Sequence, residues 1–519
     1  MKPKHKKYLR KHHVDKKENA PPQKKLFEPI KTRFLIIILI SIVGIVYINS
    51  VFGKFVWDDQ TIVVRNEAIK SFKNVPFIAT HDFAKMTNYN GNIYRPMQEL
   101  SYMVDFFLWG TYPAGFHVTN VLFHIGCVLF LFYVILSICN SRSIAFFSAI
   151  IFGIHPINTE AISYISGRSD PMYLFFLLLS FLFYIKLKDL NKNFTKLIYL
   201  TLSLVLYSLS LLSRETALVF PAILIAYEMC CVGNKKIQKF IKPSLFLIIT
   251  AVFLVVRSNI LSSTNPIQNQ PIMLQGQVLP LFPLLSKIIV KYLRLMLLPI
   301  GLHMWNVTDL VKAMIEKEFF LNIAVLISLA TVSFRMIKRD KTLVFWFLWF
   351  IIFLLPHLPL IRLNALFAEH WIYASSIGIY VIISTLIFKG VSKYNISKWA
   401  VSLFLFLIIV CLSALTIGRN MDWKDELSIY NDTLKYARFP RVLTNVGVYY
   451  GINGQYDKSI EAHKEAIALS PNTPLFHNNI AAVYYKKGQR DLAIKHWKKS
   501  LRLDPNQAKI KHILSNQVK

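Results

Sequence analysis

The sequence predicts an all-α protein: a polytopic membrane bundle of about eleven spans followed by a solenoid of helical repeats. Three observations predict it. Of the 519 residues, 54% are hydrophobic and only 17% charged, against roughly 45–50% and about 25% in soluble globular chains. Eleven apolar runs approach the length that crosses a bilayer, about 17–25 residues. Two C-terminal segments match each other at a period of 34 residues. One large soluble enzyme is excluded. The net charge of +32 could mark a nucleic-acid binder, but basic residues also gather on the inner face of membrane proteins. Their placement therefore decides, and no nucleic-acid partner is expected.

Residues 1–33 hold 12 basic and 3 acidic residues with almost no aliphatic periodicity, and read as a disordered basic cytoplasmic tail near anionic lipid. The membrane domain is predicted over 34–418. Its spans fall near 34–52, 118–139, 143–160, 170–187, 197–213, 216–233, 243–259, 318–336, 342–360, 371–389 and 398–418. The stretch from Leu281 to Ile300 is also apolar, but Lys287, Lys291 and Arg294 form one charged stripe, so an interfacial helix is predicted there. With the tail inside, the inner connections carry 16 basic residues against three nearby acids, Lys235, Lys236, Lys338 and Arg339 among the basic ones. The outer segments divide 15 to 13. This positive-inside pattern puts the first outer loop, 53–117, and everything after 418 on the extracytoplasmic side. The membrane is the plasma (inner) membrane in a bacterium, or the endoplasmic reticulum in a eukaryote. The five cysteines all fall in predicted spans without metal-like spacing.

Beyond a connecting helix at 419–439, Gly447, Tyr450, Gly454, Ala466 and Pro471 correspond to Ala481, Tyr484, Gly488, Ser500 and Pro505. Helix-turn-helix units of this period, with Gly in the turn and Pro after the second helix, have the pattern of tetratricopeptide repeats. Two are predicted over 440–506, with 507–519 as a tail. The stretch Trp423 to Ala437 offers a further packing helix. A concave surface that binds a protein or peptide is the functional reading; a cap on the membrane domain is the structural one.

Ionisable residues crowd the outer ends of the spans. Trp57-Asp58-Asp59 follows the first span directly, and Tyr94-Arg95-Pro96 lies later in the same loop. His117, Asn120 and His124 share one face of the second span at i, i+3 and i+7. His155-Pro156, Glu160 and Gly167-Arg168-Ser169-Asp170 follow the third. Ser213-Arg214-Glu215 links the fifth to the sixth, and Glu369-His370-Trp371-Ile372-Tyr373 opens the tenth. Any one of these could be an ordinary boundary residue, and Arg214 could simply pair with Glu215. Charges at membrane depth are costly and normally face a protein interior or a wet cavity, so their collection on one side points to a shared extracytoplasmic site. Glycosyl transfer from a lipid phosphate would need such a set: a carboxylate base for the acceptor hydroxyl, cations for the departing phosphate, and an apolar route for the lipid. No cofactor is required by this set. A divalent metal ion held by His117, His124 and His155 with Asp58 or Asp59 is the alternative use of the histidines.

The ordered series FVWDDQTIVVRN, YRPMQELSY, LWGTYPAGFHVTNVLFH, HPINTEAISYISGRSD, LLSRETALVFP and EHWIYASSIG, closed by tetratricopeptide repeats, resembles the transmembrane and tetratricopeptide-repeat-containing protein O-mannosyltransferases and their bacterial relatives. These belong to the type C glycosyltransferase superfamily. The resemblance runs from about residue 55 to 506. It implies a catalytic acidic motif in the first outer loop and a polyprenyl-phosphate sugar as donor, the transferred sugar being a hexose such as mannose and the acceptor a hydroxyl of an exported protein or glycan. Asp58 and Asp59 would be the acidic pair, one the base and the other orienting acceptor or donor. Arg95, His117, Asn120, His155, Glu160, Arg168, Asp170, Arg214, Glu215, Glu369, His370 and Tyr373 would line the substrate cavity. Arg214 stands where the family often has Lys, and Glu369-His370 where it usually has Glu-Arg. The competing reading is a non-catalytic membrane assembly protein that binds partners through its repeats.

Overall fold

The computed structural model describes residues 30–517 except 88–92, 233–237, 262–272, 275–276, 279–280, 305–315, 338–339, 360–366, 395 and 437. Most of the basic tail, together with Lys235, Lys236, Lys338 and Arg339, lies outside the described residues. The protein is helical almost throughout. The only strands among the described residues are Met273–Leu274 and Gln277–Val278, paired antiparallel.

Eleven apolar helices follow one another in the order expected. They are α1 (Thr32–Phe52), α2 (Pro113–Cys139), α3 (Arg142–Ile154 with Pro156–Ser163), α4 (Ile165–Asp189), α5 (Asn193–Ser213), α6 (Glu215–Val232), α7 (Phe240–Leu261), α8 (Glu316–Ile337), α9 (Lys341–His357), α10 (Ser376–Tyr394) and α11 (Lys398–Asp422). Among the described residues, eight are long and apolar enough to cross a membrane unaided. The ninth, α3, bends by 53° at its break. In α8 and α9 the apolar stretches are shorter, Phe319–Ser328 and Lys341–His357. The protein is multi-pass, with a span count close to that read from the sequence.

Local chemistry explains the boundaries. Asn140 closes α2 in the left-handed conformation (φ 48°), and Ser141 caps α3 by accepting from the Ile144 N–H, so these neighbours turn back in two residues. The α3 break falls at His155-Pro156, because Pro156 lacks an N–H for the helix ladder; the His155 ring Nδ1 accepts from the Ile157 N–H instead. Every residue from Ser143 to Ile154 is buried, so the first half of α3 runs through the middle of the bundle. Ser180 and Ser203 each donate to the other's backbone carbonyl (2.7 and 2.8 Å), which lets α4 and α5 cross closely.

The helix Leu281–Leu297 buries Leu284, Ile288 and Tyr292 along one side and leaves Arg294 exposed. It is amphipathic, as its charged stripe implies. The first outer loop has its own small core, in which Ile62, Ile69, Ile78 and Phe83 pack on Tyr102, Met103 and Phe116. After α11 the helix Glu426–Tyr436 leads to the repeat helices Pro440–Ile452, Tyr456–Leu469, Pro474–Lys486 and Arg490–Leu503. Gly454 and Gly488 take φ of 73° and 86° in the two equivalent turns. Residues Ala508–Gln517, read from the sequence as a tail, form a fifth helix whose Ile510 and Leu514 cover the second repeat. That helix supplies the third packing layer that two repeats alone lack.

Candidate active site in the first outer loop

The loop leaves α1 at Gly53, where any Cβ would lie 2.9 Å from the His117 ring. Four residues on, Trp57 adopts φ 50°, a conformation that costs a non-glycine residue about 1–2 kcal/mol. An aromatic stack holds it there. The Trp57 ring lies on Tyr164 (centroids 6.0 Å apart), and Tyr164 lies on Trp423 (5.3 Å).

The kink turns the two following carboxylates into different surroundings. Asp59 is fully buried: Oδ1 accepts from the Ser166 N–H (2.8 Å) and hydroxyl (2.5 Å), and Oδ2 from the Val56 N–H (3.0 Å). Burial pushes its pKa up to about 7; those donors oppose the shift and the charge of Asp58 adds to it. Asp58 is only half-buried. Burial raises its pKa too, against the neighbouring Tyr164 hydroxyl and the positive charge of Arg441 on the first repeat helix. One carboxylate is thus locked in place, and the other faces the seam between loop and repeats.

The segment that grips Asp59 also organises a second cluster. Gly167 has no room for a Cβ, which would meet the Glu160 carbonyl oxygen at 2.6 Å, so the chain passes tightly from Ser166 to Ser169. The Ser169 hydroxyl accepts from Arg214 (2.9 Å) and, at 3.4 Å, from Arg95. Arg214 pairs with Asp170 at 2.5 Å. Arg95 forks onto Glu215 through two bonds of 3.0 and 2.6 Å. His370 joins through Glu160, which accepts from its ring Nδ1 and its backbone N–H, each at 2.9 Å. Thr216 bridges Arg214 to His357 (both 3.3 Å). The Arg95, Glu215 and His370 side chains keep 14%, 37% and 23% exposure, so this cluster has an open side.

Other expected residues stand apart. Arg168 is wholly buried, paired with Asp105 (2.5 Å), donating to Asn120 (2.7 Å), Ser101 (3.1 Å) and the Phe116 carbonyl (2.8 Å), and covering the Tyr102 ring. Asn120 in turn donates to the carbonyls of Ile162 and Tyr164. Neither side chain has a face toward a ligand; together they fasten the loop to α2 and α4. His124 is bonded through both ring nitrogens, to Tyr373 (2.6 Å) and the Gly153 carbonyl (2.9 Å). His155 donates to the Met296 carbonyl (3.2 Å) and caps Ile157. His117 packs on Gly53. The histidines whose alternative use was a divalent metal are thereby occupied separately, and no group of three His, Cys, Asp or Glu suited to a metal ion exists among the described residues. Glu369 pairs with Arg419 (3.5 Å), which also holds Asp432 (2.5 Å) and Asp422 (3.1 Å). Sequence reasoning missed Asp105, Tyr164, Ser166, Ser169, Arg419 and Arg441. Ser166 and Ser169 sit inside the quoted ISYISGRSD stretch, and that proximity was the available signal; Asp105 and Arg441 gave none.

Comparison with known proteins bears on the repeats and on the chain as a whole. Residues 449–488 match the family description "TPR repeat", and 474–507 match "Tetratricopeptide repeat". The chain is 31% identical over 201 residues to protein O-mannosyl-transferase TMTC1 of Homo sapiens, covering 37% of this chain and 23% of that protein. A protein O-mannosyl-transferase of Caenorhabditis elegans is 23% identical over 471 residues, 88% of this chain and 65% of the relative. Protein O-mannosyl-transferase TMTC3 of Mus musculus is 21% identical over 488 residues, 85% and 52%. In each case the chain spans less than two thirds of the relative's length.

Proposed function

We propose that this chain, which is similar over most of its length to proteins named protein O-mannosyl-transferase and carries tetratricopeptide repeats, is an integral-membrane glycosyltransferase. It moves a hexose, mannose by analogy with its relatives, from a polyprenyl-phosphate carrier to a hydroxyl of an exported protein. The observation that carries this reading is the division of labour in the acidic pair: Asp59 is immobilised by three donors, which leaves the half-buried Asp58 as the base.

Asp58 takes the proton of the acceptor hydroxyl as that oxygen bonds to the sugar C1 and the bond from C1 to the phosphate oxygen breaks. Within the acidic pair only Asp58 is open, so the displacement is direct and inverts C1. The phosphate leaves with the C1–O electron pair, and the positive charge of Arg95 and Arg214, both bonded to the Ser169 hydroxyl, favours its departure. Ser166 beside Asp59 and Ser169 beside the arginines are three residues apart, roughly 5–6 Å along a helical turn, so base and phosphate cradle share one rigid segment. Asp170, Glu215 and Glu160 hold that cradle in shape through Arg214, Arg95 and His370. The amino terminus lies in the cytoplasm, and the site and repeats lie on the opposite side, in keeping with the charge asymmetry of the connections.

The repeats hold the acceptor polypeptide. On helix Pro440–Ile452, Arg441, Asn445, Val448 and Ile452 line one exposed or half-exposed face, and 34 residues on, Leu475, Asn479, Ala482 and Lys486 repeat it. The test is purified protein with polyprenyl-phosphate mannose and serine- or threonine-containing peptides, read by mass spectrometry. Transfer by the wild type and a loss of about 10²–10⁴-fold in Asp58→Asn is expected; equal transfer by both would refute the assignment of the base.

A further inference from the structure

Arg441 occupies the first turn of helix Pro440–Ile452, a turn without any acidic residue. A cation is disfavoured at a helix N-terminus, where the backbone dipole is already positive, so the stability of this helix does not account for it. Its neighbours set this turn of the helix beside the first outer loop. Phe439 and Val442 are buried in one apolar cluster with Val56 and Tyr164, the cluster that also contains Trp423 and Tyr430. One polar tie crosses the same seam: the Lys54 N–H donates to the Lys424 carbonyl (2.9 Å). The first repeat is therefore anchored on both sides of Arg441 to the residues that flank Asp58.

We propose that Arg441 is a positioning residue for the transfer reaction: the first repeat reaches back to the catalytic loop and holds the Asp58 carboxylate in its working place. The repeats on this view complete the active site as well as carrying the acceptor, and a polypeptide laid along the face that begins at Arg441 arrives directly at the base. The inference rests on the transferase reading of Asp58. The groups facing Asp58 are the Tyr164 hydroxyl and Arg441, with Asp59 behind it, Tyr430 on the connecting helix, and Glu426 with its neighbour Arg65 at the rim. Arg441 is the cation among them whose charge favours the ionised Asp58. Without it the carboxylate protonates more readily and the base is lost at a higher pH.

The experiment compares Arg441→Gln and Arg441→Lys with the wild type in the pH dependence of kcat, using full-length protein, polyprenyl-phosphate mannose and a serine peptide. The acid limb should move upward by about one pH unit in Arg441→Gln and stay in place in Arg441→Lys. A double-mutant cycle of Asp58→Asn with Arg441→Gln on thermal unfolding supplies a readout that needs no turnover; non-additive shifts in Tm are expected. An unmoved acid limb in Arg441→Gln, or strict additivity in the cycle, overturns the proposal. A wild type inactive on every mannose donor but showing coupling in the cycle would instead count against the transferase reading alone.

Discussion

Ser166 donates both its backbone N–H (2.8 Å) and its hydroxyl (2.5 Å) to Oδ1 of Asp59, a residue 107 positions earlier in the chain. This pair of bonds ties the first outer loop to the start of α4, so the register of the loop on the bundle depends on it. Replacing Ser166 with Ala removes the hydroxyl and keeps the N–H. Above pH 7, where Asp59 is ionised, the cost should be about 1.5–3 kcal/mol, the range for a bond to a charged acceptor, visible as a lower Tm, with residual transfer activity. An unchanged Tm would show that the hydroxyl contributes nothing to holding the loop.

The two aspartates should separate in mutagenesis. Asp58→Asn preserves shape and removes a base, so transfer should fall about 10²–10⁴-fold while Tm stays near that of the wild type. Asp59→Asn presents an amide NH₂ where an N–H or a hydroxyl now donates, so its main effect should be on stability. Turnover and melting measured on both variants decide this; a stable, inactive Asp59→Asn beside an active Asp58→Asn would reverse the roles.

Part of this site is legible in the sequence and part is not. Asp58-Asp59, Arg95, Arg214 and Glu215 stand out because charged residues at the ends of apolar spans require a reason. Arg168 and Arg214 look equivalent by that criterion, each an arginine next to an acid in an outer connection. They differ because Asp105, on the loop helix Pro96–Trp109, buries and pairs Arg168, a contact that no spacing rule reveals. Similarly, His117, Asn120 and His124 do share a helix face, but Gly53, Arg168 and Tyr373 occupy them separately. The fold was easier to read, since span length and repeat period are local properties, whereas the partner of a buried polar group is set by tertiary packing.

Titration of Asp59 makes a prediction about stability. Its folded pKa, about 7, lies above the unfolded value near 3.9, so the folded state binds the extra proton. The contribution of this group is then fully present below about pH 4 and is lost as pH rises through 7. The first outer loop should melt at a lower temperature at pH 8 than at pH 5.5, and Asp59→Asn should flatten that dependence. The same slope in the variant would assign it to other groups.

The phosphate cradle should distinguish charge from geometry. Arg95 grips Glu215 with two parallel bonds, a fork that lysine cannot reproduce. Arg95→Lys keeps the charge but frees Glu215, so the donor KM should rise roughly tenfold, equivalent to about 1.4 kcal/mol, with a smaller change in kcat. Arg214→Ala is more severe: it leaves Asp170 buried without its partner, a defect that typically costs about 3–5 kcal/mol. That variant should fail in folding before it fails in catalysis, with a Tm well below that of Arg95→Lys. Should Arg214→Ala melt like the wild type and lose only turnover, the arginine would serve the donor phosphate alone and Asp170 would need another partner.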